Sequence, residues 1–178
     1  MMRTAALGLA AALLLGGCLG GPDAGGGGGG APTLPTPQSS LSGQIEGTLA
    51  TLRDHLAAAG FRIDPPISPY RPSEPADLVD IPRAVFQTSI PDANQGYVVI
   101  YEFASPGLAT TNGLEFAIYL GSGFGQTNFP VDAQFSLRQV ASTLIFTWWS
   151  RALATDKVAA EAAFNVVRGV GQEIPVTK

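Results

Sequence analysis

The run Tyr97-Val98-Val99-Ile100-Tyr101-Glu102-Phe103 decides how this chain folds. Every residue in it except Glu102 is β-branched or aromatic, the composition of a strand that packs on a pleated, buried surface. Side chains alternate along a strand, so Tyr97, Val99, Tyr101 and Phe103 share one face and Val98, Ile100 and Glu102 the other. An antiparallel sheet with one wet face shows cleaner polar alternation than this. If helices cover one face, the other still needs a cover. The candidates are the Pro-rich loop upstream, a partner surface, a second copy of the chain, or a small apolar ligand.

Working outward, residues 84–90 read as a strand and residues 91–96, Pro-Asp-Ala-Asn-Gln-Gly, as its turn into the central run. Downstream, Ser105-Pro106 opens a helix with Pro at its first position, where a missing N–H costs nothing. That helix continues through Leu114, Phe116, Ala117, Ile118 and Leu120 to Gly121. A second hairpin follows. Ala133, Phe135 and Leu137 alternate with Gln134, Ser136 and Arg138, and residues 144–149 pair with them. Thr155-Asp156 starts a last helix whose buried side is expected to hold Val158, Ala162, Ala163, Val166, Val167 and Val170. Before the first hairpin, Ile45, Leu49, Leu52 and Leu56 form one stripe of a helix, with Ser42 as its cap and Gly60 as its stop. Residues 61–63 read as a short strand. Pro65, Pro66, Pro69, Pro72 and Pro75 then punctuate a long loop that ends at Pro82. The expected fold is α+β: about four antiparallel strands with helices on one face, in the order α-ββα-ββα. Leu108-Ala109-Thr110 and Leu153-Ala154-Thr155 recur 45 residues apart, which raises the idea of a duplicated hairpin-helix unit.

The front of the chain has a different composition. Arg3 is its one early positive side chain, and residues 5–15 form an apolar run of 11 residues interrupted only by Gly8. As a helix that run spans roughly 17 Å, well short of the ~30 Å hydrocarbon core, and it has the size of a signal-peptide apolar region. It ends in Leu15-Gly16-Gly17-Cys18. This stretch resembles the lipobox of bacterial lipoprotein precursors: a Leu, two small residues, then Cys. The resemblance implies cleavage between Gly17 and Cys18, a diacylglyceryl group on the Cys18 thiol and an acylated amine. Two or more acyl chains give stable anchoring, whereas one is marginal. Cleavage would remove Arg3, leaving nine basic and 14 acidic side chains, a formal charge of −5. Residues 18–40 hold six consecutive glycines at 25–30 and then Pro32, Pro35 and Pro37. No part of that segment buries enough apolar surface to offset ordering entropy, so it reads as a tether with an end-to-end distance of roughly 25 Å. The expected organisation is a signal peptide over 1–17, a lipidated tether over 18–40 and an α+β domain over 41–178. In layout alone, residues 41–175 also resemble small uncharacterised bacterial lipoproteins, a resemblance that implies no activity.

Composition narrows the chemistry. One Cys and one His exclude an internal disulfide and most zinc-type metal sites, and a net charge of −4 argues against nucleic acid. No cofactor is expected. Gly121-Ser122-Gly123-Phe124-Gly125 follows a helix with no basic residue near it, so it reads as a flexible connection rather than a phosphate cradle. Asp54 and His55 are adjacent on a helix and do not face each other, and no G-x-S-x-G elbow exists for a hydrolytic triad. Glu102 is the candidate for an unusual carboxylate, with Arg83 or Arg138 as its partner. The aromatic residues Tyr70, Tyr97, Tyr101, Trp148 and Trp149 are the candidate binding set, since neighbouring Trp148 and Trp149 point to opposite faces of one strand. The expected role is a lipid-anchored binding module outside the cytoplasm, taking another envelope protein or a small apolar ligand. An envelope enzyme using acidic residues and a structural surface lipoprotein are the alternatives.

Overall fold

The protein is described by a computed structural model in which residues 41–92 and 94–177 are placed. Gly17, Cys18 and the tether lie outside the described residues. The described residues form one compact unit.

Helix α1 (Gly43–Ala58) starts where the sequence puts it, with Ser42 Oγ accepting from the Ile45 N–H at 3.2 Å. Its buried stripe is Ile45, Thr48, Leu49, Leu52 and Leu56, and Gly60 ends the turn in the left-handed region at φ +83°. Strands β1 (Ile63–Asp64), β2 (Arg83–Thr88) and β3 (Tyr97–Glu102) follow, with one short 3₁₀ turn, Ala76–Leu78, inside the Pro-rich loop. Helix α2 (Pro106–Gly121) is capped by Ser105, whose hydroxyl accepts from the Leu108 N–H at 3.3 Å. After α3 (Gly123–Gln126) come β4 (Gln134–Val140), β5 (Thr143–Trp149), α4 (Lys157–Arg168) and β6 (Gln172–Ile174).

Among the described residues the sheet has six strands in the order β1-β2-β3-β5-β4-β6, and every neighbouring pair is antiparallel. The expected α+β class and antiparallel sheet hold, and the count of four strands is corrected to six. The extra strands are the edges: β1, which overlaps the short strand expected at residues 61–63, pairs through two residues, and β6 pairs through three, too few to leave a period in the sequence.

Helices lie on both faces, which corrects the one-face expectation. Helices α1 and α4 cover Val98, Ile100 and Ile145. On the opposite face, α2 packs Ala109, Phe116 and Leu120 onto Val99, Tyr101, Leu144 and Phe146. The physical reason lies in β3 and β5, both apolar on both faces and therefore needing two covers. Phe116 centres the α2 side, with ring centroids 4.8 Å from Phe146 and 6.1 Å from Tyr101. It is wholly buried, and burial of a side chain this size contributes about 1.5–3 kcal/mol. The Pro-rich loop shares this face through Tyr70, Leu78 and Ile81, so α2 and the loop together supply the cover that the sequence demands.

Three further expectations change. Val158 and Ala162 are exposed; the buried stripe of α4 is Ala160, Ala163, Phe164 and Val167, set by the large ring of Phe164. Asp156 is the cap itself, its carboxylate accepting from the Val158 and Ala159 N–H groups at 3.1 and 3.0 Å. The duplicated unit is not supported. Leu108-Ala109-Thr110 lies inside α2, whereas Leu153-Ala154-Thr155 precedes α4. A two-fold axis relating the antiparallel β3 and β5 would put both following helices on one face, and they sit on opposite ones. Finally, Gly123–Gln126 is helical, not a loose connection. Ser122 caps it, and a Cβ at Gly125 would lie 2.0 Å from the Tyr119 carbonyl oxygen, so only glycine fits there.

Candidate functional site

The loop over residues 65–82 acts as a strap across the α2 face of the sheet, and it carries one member of the aromatic set. Tyr70 stacks on Tyr97 of β3, with centroids 4.0 Å apart and planes 6° from parallel. Trp148 of β5 donates its indole N–H to Tyr70 Oη at 2.9 Å. Phe129 stands edge-on to Trp148 at 5.5 Å and to Phe135 at 4.9 Å. Beside Phe129 the surface opens into a cleft of about 420 Å³, lined by Phe129, Pro130, Val131 and Phe135 together with Gly123, Gln126 and Thr127. The structure therefore brings Tyr70, Tyr97 and Trp148 together behind an aromatic cleft whose walls, Phe129 and Phe135, the sequence did not single out. The only signal for those two was the alternation of Phe135 in its strand.

The other two members of the set are elsewhere. Tyr101 is wholly buried, and Trp149 is 2% exposed on the opposite face beside Phe164 of α4. Neither offers surface to a ligand, because the strap and α2 close over one and α4 over the other. Both are corrected to core positions.

A buried carboxylate pins the strap, one that sequence reasoning missed. The Glu74 side chain is 3% exposed. Tyr101 donates its hydroxyl to Glu74 Oε2 at 2.7 Å. Arg83 Nη1 lies 2.9 Å from Glu74 Oε1 but directs its hydrogens at the Leu78 and Val79 carbonyls, 3.2 Å each. Oε1 thus has a charge partner without an aligned hydrogen bond. Ser73 and the Tyr119 hydroxyl, 2.8 Å apart, tie the strap to α2. Glu74 sits in Ser73-Glu74-Pro75, a loop with no periodic pattern to mark it.

These contacts set the ionisation of two tyrosines. Burial raises the Tyr101 pKa, helped by the hydrogen bond to Glu74. Burial also pushes Tyr70 up to about 12, with Tyr97 and Glu74 adding to the rise and the Trp148 hydrogen bond opposing it. Tyr70 holds its proton more tightly folded than unfolded. Its contribution to stability is therefore full below the unfolded value near pH 10 and is lost as the pH climbs through about 12. Urea unfolding should show stability falling between pH 9 and 11.5, with Tyr70→Phe removing about 2 kcal/mol of that fall. An unchanged fall in Tyr70→Phe would show that the Tyr70 hydroxyl is not buried in solution.

The acid candidates take structural positions. Arg83 pairs with Glu74, and Arg138 with Glu173 at 3.1 Å, so neither expected arginine serves Glu102. Glu102 is half-buried at a separate cleft with Gln44, Ile81 and Leu108. At the far end of the sheet, Asp92 accepts from the Thr155 N–H at 2.8 Å and Gln95 from the Ser150 N–H at 2.8 Å. Asp132 accepts from the Ser150 hydroxyl at 2.5 Å and the Ala152 N–H at 2.8 Å, which lowers its pKa. These side chains shape turns. His55 is exposed near the end of α1. Among the described residues no three His, Cys, Asp or Glu side chains cluster to hold a metal ion, and no helix is long and apolar enough to cross a membrane.

Compared with protein-family models, curated proteins and solved structures, the chain matches none.

Proposed function

We propose that this protein is a lipid-anchored binding module outside the cytoplasm, held by acyl chains on Cys18 and taking a small apolar or aromatic group in the Phe129/Phe135 cleft. The cleft carries the reading. Its volume, about 420 Å³, falls in the range of small-ligand sites. Two of its lining residues are aromatic, and Trp148, which is held by Tyr70, packs against Phe129. Rigid rings of this kind offer contact area at low entropic cost. Polar groups in the lining, Gln126 and Thr127, would orient the bound molecule. The resemblance of Leu15-Gly16-Gly17-Cys18 to a lipobox supports the anchor.

Titration with the fluorescent probe 1-anilinonaphthalene-8-sulfonate tests the cleft. One probe should bind per folded chain. Val131→Asp, at a fully exposed position, should weaken that binding about tenfold while leaving the melting temperature unchanged. Equal binding by the variant and the natural chain would remove the cleft as the site.

A further inference from the structure

Where β3 leaves the sheet towards α2, another cleft of about 440 Å³ opens, separate from the aromatic one. Ile81, Pro82, Phe103 and Leu108 give it apolar walls, and Glu102 and Asn112 are polar members of its lining. Backbone hydrogen bonds fix its frame. The Glu102 N–H donates to the Pro82 carbonyl and the Phe103 N–H to the Ser142 carbonyl, both at 2.9 Å, and Phe103 is only 4% exposed. A cleft held in this way needs little reordering to take a ligand.

The charge of that ligand follows from Glu102. Its carboxylate is half-buried, and among the described residues no cation lies in ion-pair range of it. The lack is local. No Lys, Arg or His occurs in residues 41–52, 72–82 or 84–137, the stretches that supply every lining residue. Arg83 and Arg138, the two cations within the sheet's inner strands, are held by Glu74 and Glu173. Asn112 donates its Nδ2 to the Leu108 carbonyl at 2.9 Å, which leaves its Oδ1 as an acceptor. The lining thus offers an anion and an acceptor, with no cation to balance them. A half-desolvated carboxylate gains most from a partner that brings both positive charge and N–H donors. An anion is repelled here, and a neutral molecule leaves Glu102 unpaired.

We infer that this cleft binds a small organic amine, with its ammonium group on Glu102 and its hydrocarbon body against Ile81, Phe103 and Leu108. The inference stands apart from the lipid anchor and from the Phe129/Phe135 cleft.

Phenethylamine and phenethyl alcohol, matched in size and differing in the ammonium group, test it by NMR titration of the isotope-labelled full chain. The amine should bind saturably, moving the amide signals of Glu102, Phe103 and Leu108 together, and about tenfold more tightly than the alcohol. Glu102→Gln keeps the shape of the side chain. It should bring the amine down to the alcohol's affinity and leave the melting temperature unchanged, because Glu102 has no ion pair to lose. Leu108→Lys, at a position 48% exposed, sets a tethered ammonium at the cleft and should abolish amine binding. It decides the matter if Glu102→Gln fails to fold. Equal affinity for the amine and the alcohol, a preference for the amine that survives Glu102→Gln, or amine binding that persists in Leu108→Lys would each overturn the inference. So would amine-induced shifts centred on Phe129 and Phe135, or spread evenly over the exposed Glu46 and Glu115, which would mean the other cleft or attraction to carboxylates in general.

Discussion

Arg83→Ala should destabilise the domain by about 3 kcal/mol and lower its melting temperature by roughly 10 °C. The loss comes from what the substitution leaves behind. Glu74 stays buried at 3% exposure, and its remaining cation, Arg71, is 3.9 Å away on a side chain 64% exposed. A buried carboxylate without a close partner costs far more than the ion pair contributes. Removing the charge should therefore repair much of the damage. In the Arg83→Ala background, Glu74→Gln should recover more than half of the lost stability, because the Tyr101 hydroxyl keeps an acceptor at position 74. Urea unfolding of the two single variants and the double variant measures this. Additive losses would mean that Glu74 and Arg83 do not act as a pair and that the strap is held by apolar contacts alone.

The adjacent tryptophans should separate cleanly. Trp149→Ala removes a side chain 2% exposed against Phe164, Ala160 and Ala154, and it should cost about 3–5 kcal/mol. Probe binding per folded molecule should not change, because Trp149 faces α4 and the cleft lies on the other side of the sheet. Trp148→Phe keeps the ring beside Phe129 and loses the hydrogen bond to Tyr70. It should cost only about 1 kcal/mol and should loosen the strap over the cleft, changing probe affinity more than stability. Thermal melts and probe titrations on both variants check the pair. If Trp149→Ala abolished binding in folded protein, the assignment of the two faces would be wrong.

How far residues alone led can be judged on particular elements. The stripe Ile45, Leu49, Leu52, Leu56 specified α1, and the Ser42 and Ser105 caps lie where short polar side chains precede apolar runs. The two-sided apolar character of β3 was also plain in its residue order, and with it the need for two covers. Which segment covers which face was not. Only residues 103–105 separate β3 from α2, and nothing in three residues states to which side the chain turns. The edge strand β6 escaped notice because Gln172, Glu173 and Ile174 bury one side chain between them. At the site, Tyr70, Tyr97 and Trp148 were legible as large rings, but their meeting is a contact across 78 residues. Glu74 was invisible for the same reason: its burial depends on Arg83 and Tyr101, which no local pattern links to it.

The proposed anchorage would decide where binding takes place, and it turns on the Cys18 sulfur. The most direct measurement is the intact mass of the protein extracted from membranes of cells that express the full chain. The expected species begins at Cys18 and carries the added mass of a diacylglyceryl group, with Cys18→Ser abolishing both the cleavage and the addition. A species that retains Met1, or one that begins near residue 18 with an unmodified thiol, would contradict it.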